Sequence, residues 1–93
     1  MGGTFNSFEV LVVTNAAAVG FTPSTYGTAR QAIVQVQAEA IRYRFDGGDD
    51  PTTTVGLEAA AGTIIKLTSK DQLIKFRAIA VATDAKCVAE FGY

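Results

Sequence analysis

The chain has 93 residues, of which 48% are hydrophobic and 18% are charged, and its formal net charge is -1. This length predicts one domain, residues 1–93, because no charged or low-complexity stretch divides the chain, and the composition excludes general disorder. A net charge near zero provides no positive field for phosphate backbones, so nucleic acid is not an expected partner. The longest apolar stretch, residues 16–21, is far shorter than the roughly 20 residues that span a bilayer, so no membrane partner is expected.

The sequence lacks the residue types that most catalytic mechanisms require. The sequence has no histidine, and its single cysteine, Cys87, lies in an apolar run that predicts a buried, inert thiol. These counts exclude imidazole bases, histidine-containing metal sites and a disulfide within the chain. Carboxylates could act alone, but they fall on separate predicted elements: Glu9, Glu39, Glu58 and Glu90. We therefore expect no enzymatic activity and no cofactor.

Residues 5–14 are predicted to form a long strand that follows a short N-terminal arm, residues 1–5. One face of this strand carries three apolar side chains: Phe8, Val10 and Val12. The other face begins with Glu9 and becomes apolar only at Leu11 and Val13. A face of this kind predicts cover at one end by another element or by another subunit.

The next segments are a loop and a second strand. Residues 22–28 contain turn formers around Pro23 and Gly27, which predicts a loop. Residues 31–39 alternate with Ile33 as the single exception, one face being Ala32, Val34, Val36 and Ala38 and the other Gln31, Gln35, Gln37 and Glu39. This pattern predicts a half-buried strand whose uncharged polar face is either solvated or turned toward a partner.

A third strand leads into a loop rich in aspartate and glycine. Residues 41–46 alternate, with Ile41, Tyr43 and Phe45 predicted to point inward. Residues 47–51 predict a turn, because glycine permits positive φ and proline cannot continue a ladder. The acidic cluster of Asp46, Asp49 and Asp50 suggests calcium, but its spacing departs from an EF-hand loop, so a turn without metal is expected.

The C-terminal half is predicted to be strands and hairpins. At most one helical turn is expected over residues 57–61, followed by a short strand over residues 63–68 with Ile65 and Leu67 on one side. Residues 69–72 form a polar connection that predicts a hairpin, and residues 73–82 predict a second long strand with Ile74, Phe76, Ala78 and Ala80 on its core face. A last hairpin, closed by residues 83–86, leads into residues 87–91. The whole predicts a small antiparallel two-sheet β-sandwich, Ig-like or jelly-roll-like, of about seven strands, with an open barrel as the alternative.

Residues 41–52, Ile-Arg-Tyr-Arg-Phe-Asp-Gly-Gly-Asp-Asp-Pro-Thr, resemble a signature of small virion proteins of tailed bacteriophages. The resemblance extends to Phe91, and the segments Ala61 to Leu67 and Lys75 to Ile79 are its other matching pieces. It implies a structural protein of the virion, made in the host cytoplasm: a decoration or cement protein that binds the outer surface of the capsid. The implied partners are the major capsid protein and copies of the chain itself, as a trimer or another small homo-oligomer.

A similar turn occurs in β-sandwich modules appended to bacterial glycosidases, so a tail, baseplate or sugar-binding adhesion module is the alternative. The chain lacks tryptophan, which leaves Tyr26 and Tyr93 as the rings able to stack on a sugar. For a decoration role the candidate contacts are the arm, the loop and the apolar strand ends. These residues are Gly2, Gly3, Thr4, Phe5, Asn6, Pro23, Tyr26, Leu11, Val13, Ile79 and Val81.

Overall fold

The computed structural model describes residues 5–92, and of Phe5 and Asn6 it describes the backbone alone. The described chain is 44% strand and 12% helix and forms two antiparallel sheets, which confirms the prediction of a small all-β sandwich. In chain order the elements are β1 (Phe5–Val13), α1 (Pro23–Tyr26), β2 (Gln31–Gln37), β3 (Ile41–Arg44), β4 (Leu57–Ala59), β5 (Ile64–Leu67), α2 (Lys70–Lys75), β6 (Arg77–Ala80) and β7 (Ala85–Gly92).

The two sheets have the strand orders β1-β7-β2-β5 and β4-β3-β6. Strand β7 lies inside the larger sheet, antiparallel to β1 on one side and to β2 on the other. The chain crosses between the sheets from β5 to β6 and again from β6 to β7. The predicted hairpins around residues 69–72 and 83–86 are therefore wrong, since the strands that flank each of them belong to different sheets.

The core lies between the two sheets and is built around stacked aromatic rings. Phe21 stacks on Phe76 with ring centroids 4.9 Å apart, and it meets Phe91 edge-on at 5.2 Å. Tyr26 from α1 packs against Phe91 at 5.9 Å, which places the predicted loop 22–28 partly in a helix that contributes to the core. Offset and edge-to-face pairs of this kind stabilise a core beyond the area that they bury.

The predicted long strand over residues 73–82 is wrong, because its first part is the helix α2. The Ser69 hydroxyl accepts a hydrogen bond from the Gln72 amide at 3.3 Å, and the Gln72 side chain accepts one from the Thr68 amide at 2.7 Å. These bonds satisfy amides at a helix start and fix the helix over Lys70–Lys75. Ile74, predicted on the core face, consequently lies 46% exposed, whereas Leu73 is buried.

Strand β6 is short and buried on both faces. Phe76, Ala78 and Ala80 are buried as predicted, and Ile79 on the opposite face is buried as well. The edge of β6 that does not pair with β3 is covered as well, because a bridge joins Ala78 to Val19, a residue in the long connection between β1 and β2. The neighbouring segment of residues 57–59, for which at most one helical turn was expected, is the edge strand β4.

The structure shows which faces of β1 and β2 are buried. In β2, Ala32, Val34 and Val36 are buried as predicted, but Ala38 lies beyond the strand, exposed and with φ 74°. In β1 the buried face is the one that begins with Glu9. The Thr22 amide and hydroxyl donate hydrogen bonds to the Glu9 carboxylate at 3.0 and 2.9 Å, so the single acid on this face has partners.

Candidate functional site

The larger sheet turns one face away from the core, and six of the eleven side chains on this outer face are apolar. The register places its side chains in three rows, two of which cross all four strands while the third crosses β1, β7 and β2. The outer face comprises Phe8, Glu90, Ile33 and Lys66 in the first row, Val10, Val88, Gln35 and Ile64 in the second, and Val12, Lys86 and Gln37 in the third. Residues opposite each other on neighbouring strands are about 5 Å apart, so each row is continuous.

The apolar side chains of the outer face are open to solvent. Phe8 is 56% exposed, Val10 46% and Val12 55% on β1, while Ile33 on β2 is 41% exposed and Ile64 on β5 is 48% exposed. Isolated apolar residues are normal on a protein surface, but a contiguous apolar patch marks a site of contact. The outer face is therefore the strongest candidate functional surface of the described chain.

The outer face also carries two glutamines that bond to each other and three charged residues. The Gln37 side-chain amide donates to the Gln35 side-chain oxygen at 2.9 Å, so the two glutamines partly satisfy one another. Glu90, Lys66 and Lys86 are exposed, and within residues 7–92 none of them has a salt-bridge partner. The face thus presents one acid and two bases that are available to a partner.

A second candidate is a groove of about 580 Å³ between the edge strand β4 and the helix α2. Its walls are Arg44, Phe45, Asp46, Val55, Gly56, Leu57, Ser69, Asp71 and Gln72. Leu57 lies on the same face of β4 as the buried Ala59, yet 54% of it is exposed. The gap between the two sheets is therefore unfilled at this edge, and its apolar floor reaches the surface beside hydrogen-bonding groups.

The aspartate-glycine turn at the rim of this groove is held together by Asp46. The Arg44 guanidinium donates to both carboxylate oxygens of Asp46, at 2.6 and 3.2 Å, and the Gly48 amide donates at 3.2 Å. The Arg44 hydrogen bond, followed by that from Gly48, lowers the pKa of Asp46 to about 2. Gly47 has φ 78°, which a side chain rarely adopts. These bonds support the prediction that the acidic cluster builds a turn.

The predicted contact residues are scattered, and several are buried within the chain. Leu11, Val13, Tyr26 and Ile79 belong to the core, so their side chains are not at the surface of this chain. Pro23 is exposed and Val81 is half-buried. Gly2, Gly3 and Thr4, together with the side chains of Phe5 and Asn6, lie outside the described part, and their contact role stays a prediction. The burial of Tyr26 also removes one ring proposed for stacking on sugar.

The sequence reasoning missed the outer face, although a signal for it was present. Ile33 interrupts the polar side of β2, and the run Phe8, Val10 and Val12 on one face of β1 contains no polar residue to mark it as outward. Both observations gain meaning only from the register, which aligns Ile33 with Glu90 and Glu90 with Phe8. An interrupted alternation and a strand with two apolar faces could have marked Ile33 and β1 as candidates, but not that they share one face of the sheet.

Among residues 7–92, no cluster of three or more histidine, cysteine, aspartate or glutamate side chains is placed to hold a metal ion. Cys87 is buried, and desolvation raises the pKa of its thiol to about 12. No described helix is long and apolar enough to cross a membrane.

Comparisons with protein-family models, with curated proteins and with solved structures find no match to this chain. The resemblance to small virion proteins therefore stays a prediction, and function has to be proposed from the surfaces described above.

Proposed function

We propose that this chain is a structural protein of a tailed-phage virion, made in the host cytoplasm, and that it decorates the outer surface of the capsid. The observation that carries the proposal is the outer face of the four-stranded sheet, where Phe8, Val10 and Val12 on β1 stand exposed, as do Ile33 and Ile64 on the far side of Val88 on β7. A contiguous apolar surface of this kind is characteristic of a chain that works in contact with other protein.

The resemblance of residues 41–52 supports the phage particle as the setting of these contacts. Capsid decoration requires a compact scaffold, and the contact energy of each copy is multiplied over many equivalent sites. The exposed Pro23 and the N-terminal arm remain the candidates for contact with the major capsid protein, since the buried strand ends Leu11 and Ile79 are not at the surface.

Quantitative mass spectrometry of purified virions tests this proposal. We expect the chain in a fixed ratio to the major capsid protein, with copies in the hundreds as for a part that repeats over the head. Its absence from virions would contradict the proposal. A handful of copies per particle would instead identify a part of the tail or baseplate.

A second candidate function is sugar binding, as in an adhesion module, and the groove beside α2 favours it. Half-buried Phe45 offers an aromatic surface, and the Asp71 and Gln72 side chains provide hydrogen-bonding groups at the rim. A glycan array tests this function. Binding that is lost in Asp71→Asn and kept in Asp50→Asn, an equivalent change outside the groove, would favour it over decoration, whereas a blank array leaves decoration as the proposal.

A further inference from the structure

The outer face is complementary to itself along its two strands β1 and β7 when one copy is turned over about an axis that runs across the strands. The second row, with Val10 and Val88, would lie on this axis, and the first and third rows would then change places between copies. Such an axis sets Val10 opposite Val10 and Val88 opposite Val88 of the second copy. It also sets Phe8 opposite Val12, so apolar side chains meet apolar side chains along β1.

The same rotation pairs the charges. Glu90 lies in the first row of β7 and Lys86 in the third, so each Glu90 faces the Lys86 of the other copy, and this occurs twice. Both groups are exposed and lack a salt-bridge partner within the described residues. Two sheets that pack face to face lie about 10 Å apart, a distance that these two long side chains reach across together.

We infer that this chain forms a homodimer through the outer faces of its four-stranded sheets, with reciprocal Glu90 to Lys86 pairs on either side of a two-fold axis. A closed pair covers the same patch on both copies, whereas a trimer would require this face to meet a different surface. Strands of the two sheets then cross at a small angle, as in aligned sheet packing. The inference rests on the outer face alone and does not depend on the capsid assignment.

The area of the outer face determines how tightly the two copies are expected to bind. Four strands and three rows cover about 20 Å by about 20 Å of the sheet plane, or about 400 Å² on each copy, which is smaller than a standard interface and in the range of weak, transient contacts. A small interface with an apolar centre predicts a dimer that dissociates in the micromolar range and becomes populated where copies are concentrated.

Charge reversal tests the inference by sedimentation equilibrium between about 1 µM and about 1 mM. Glu90→Lys and Lys86→Glu, made singly, place like charges opposite each other and should each raise the dissociation constant at least about tenfold. The double variant exchanges the two charges and should restore the dimer. Asp50→Lys and Lys70→Glu make the same charge changes away from the face and should leave association unchanged. A wild-type chain that stays monomeric throughout, or a double variant that stays dissociated, would overturn the inference.

A second measurement needs no variant. Glu90 and Lys86 are four residues apart on one strand, about 13 Å along its axis, so a zero-length carbodiimide cross-link between them has to join two copies. Mass spectrometry of a mixture of ¹⁵N-labelled and unlabelled chain should show the mixed-isotope Glu90–Lys86 peptide pair. Its absence from cross-linked dimers would exclude the arrangement, and this outcome is independent of whether the chain is found on virions.

Discussion

Val10 and Val88 lie directly opposite each other on β1 and β7, and both side chains point away from the core. The next residues along each strand, Leu11 and Cys87, are also opposite each other, and both are buried. Strand β1 therefore has two apolar faces with different surroundings. One packs inside the sandwich, and the other forms part of an exposed patch.

Adjacent valines on β1 provide a matched test of this orientation. Val12 is 55% exposed and Val13 is fully buried. We expect Val13→Ala to lower the free energy of unfolding by about 2 kcal/mol, since buried methyl groups and packing are lost. Val12→Ala should lower it by less than about 1 kcal/mol. Urea unfolding measures both, and an equal loss in the two variants would contradict the assignment of the faces.

The sequence predicts the strands of this fold better than their connections. Alternation located β2 and the buried positions of β5, because Gln35 and Gln37 in β2 and Lys66 in β5 mark the outward side. The helix α2 was missed, since Leu73, Ile74 and Phe76 suit a strand or a helix equally over so short a segment. The local signal was the spacing of Ser69 and Gln72, which is that of a capping box.

The backbone of Ala38 is strained, and replacing this residue with glycine tests that strain. Its φ of 74° is favourable for glycine and costs an L-residue about 1 kcal/mol or more. We expect Ala38→Gly to raise the free energy of unfolding by roughly 0.5 kcal/mol, after the loss of entropy that glycine brings. Ala60→Gly, at an exposed position outside the positive-φ region, should lower it by about 0.5 to 1 kcal/mol. A change of the free energy of unfolding in the same direction in both variants would contradict the account of Ala38.

The outer face could not be predicted from the sequence, because strand pairing assembles it. Phe8, Ile33 and Ile64 are far apart in sequence, and no local pattern shows that three different strands bring them to one face. The predicted contacts at Leu11 and Val13 rested on a real feature, the half-apolar face of β1. Thr22 and α1 cover that face, and this long-range packing decides which face of β1 remains open.

The Asp46 carboxylate predicts a specific dependence of stability on pH. The pKa of Asp46 in the folded chain, about 2, lies below the usual value near 4. The ionised carboxylate therefore stabilises the fold above about pH 4, and this stabilisation is lost as the pH falls toward 2. Urea midpoints of the wild type and Asp46→Asn should therefore differ above about pH 4 and converge near pH 2. Asp50→Asn, whose native side chain makes no hydrogen bond in the described chain, is the control. A difference between wild type and Asp46→Asn that is constant with pH would contradict the prediction.

Cys87 should be unreactive while the chain is folded. Its thiol is buried, and desolvation raises its pKa to about 12, so little thiolate exists at pH 8. A disulfide reagent such as 5,5′-dithiobis(2-nitrobenzoate) should label it slowly in buffer and rapidly in concentrated urea. Equal labelling rates in the two conditions would show that the thiol is accessible in the fold.

Hydroxyl-radical footprinting of virions tests most directly whether the outer face is covered in the working particle. We expect oxidation of Phe8 to fall several-fold between the dilute isolated chain and the purified virion, because protein contacts cover this ring. Ile74, which is 46% exposed on α2 and outside the outer face, is the internal control and should keep its rate. A Phe8 that is oxidised equally fast in both samples would contradict the claim that this face carries the function.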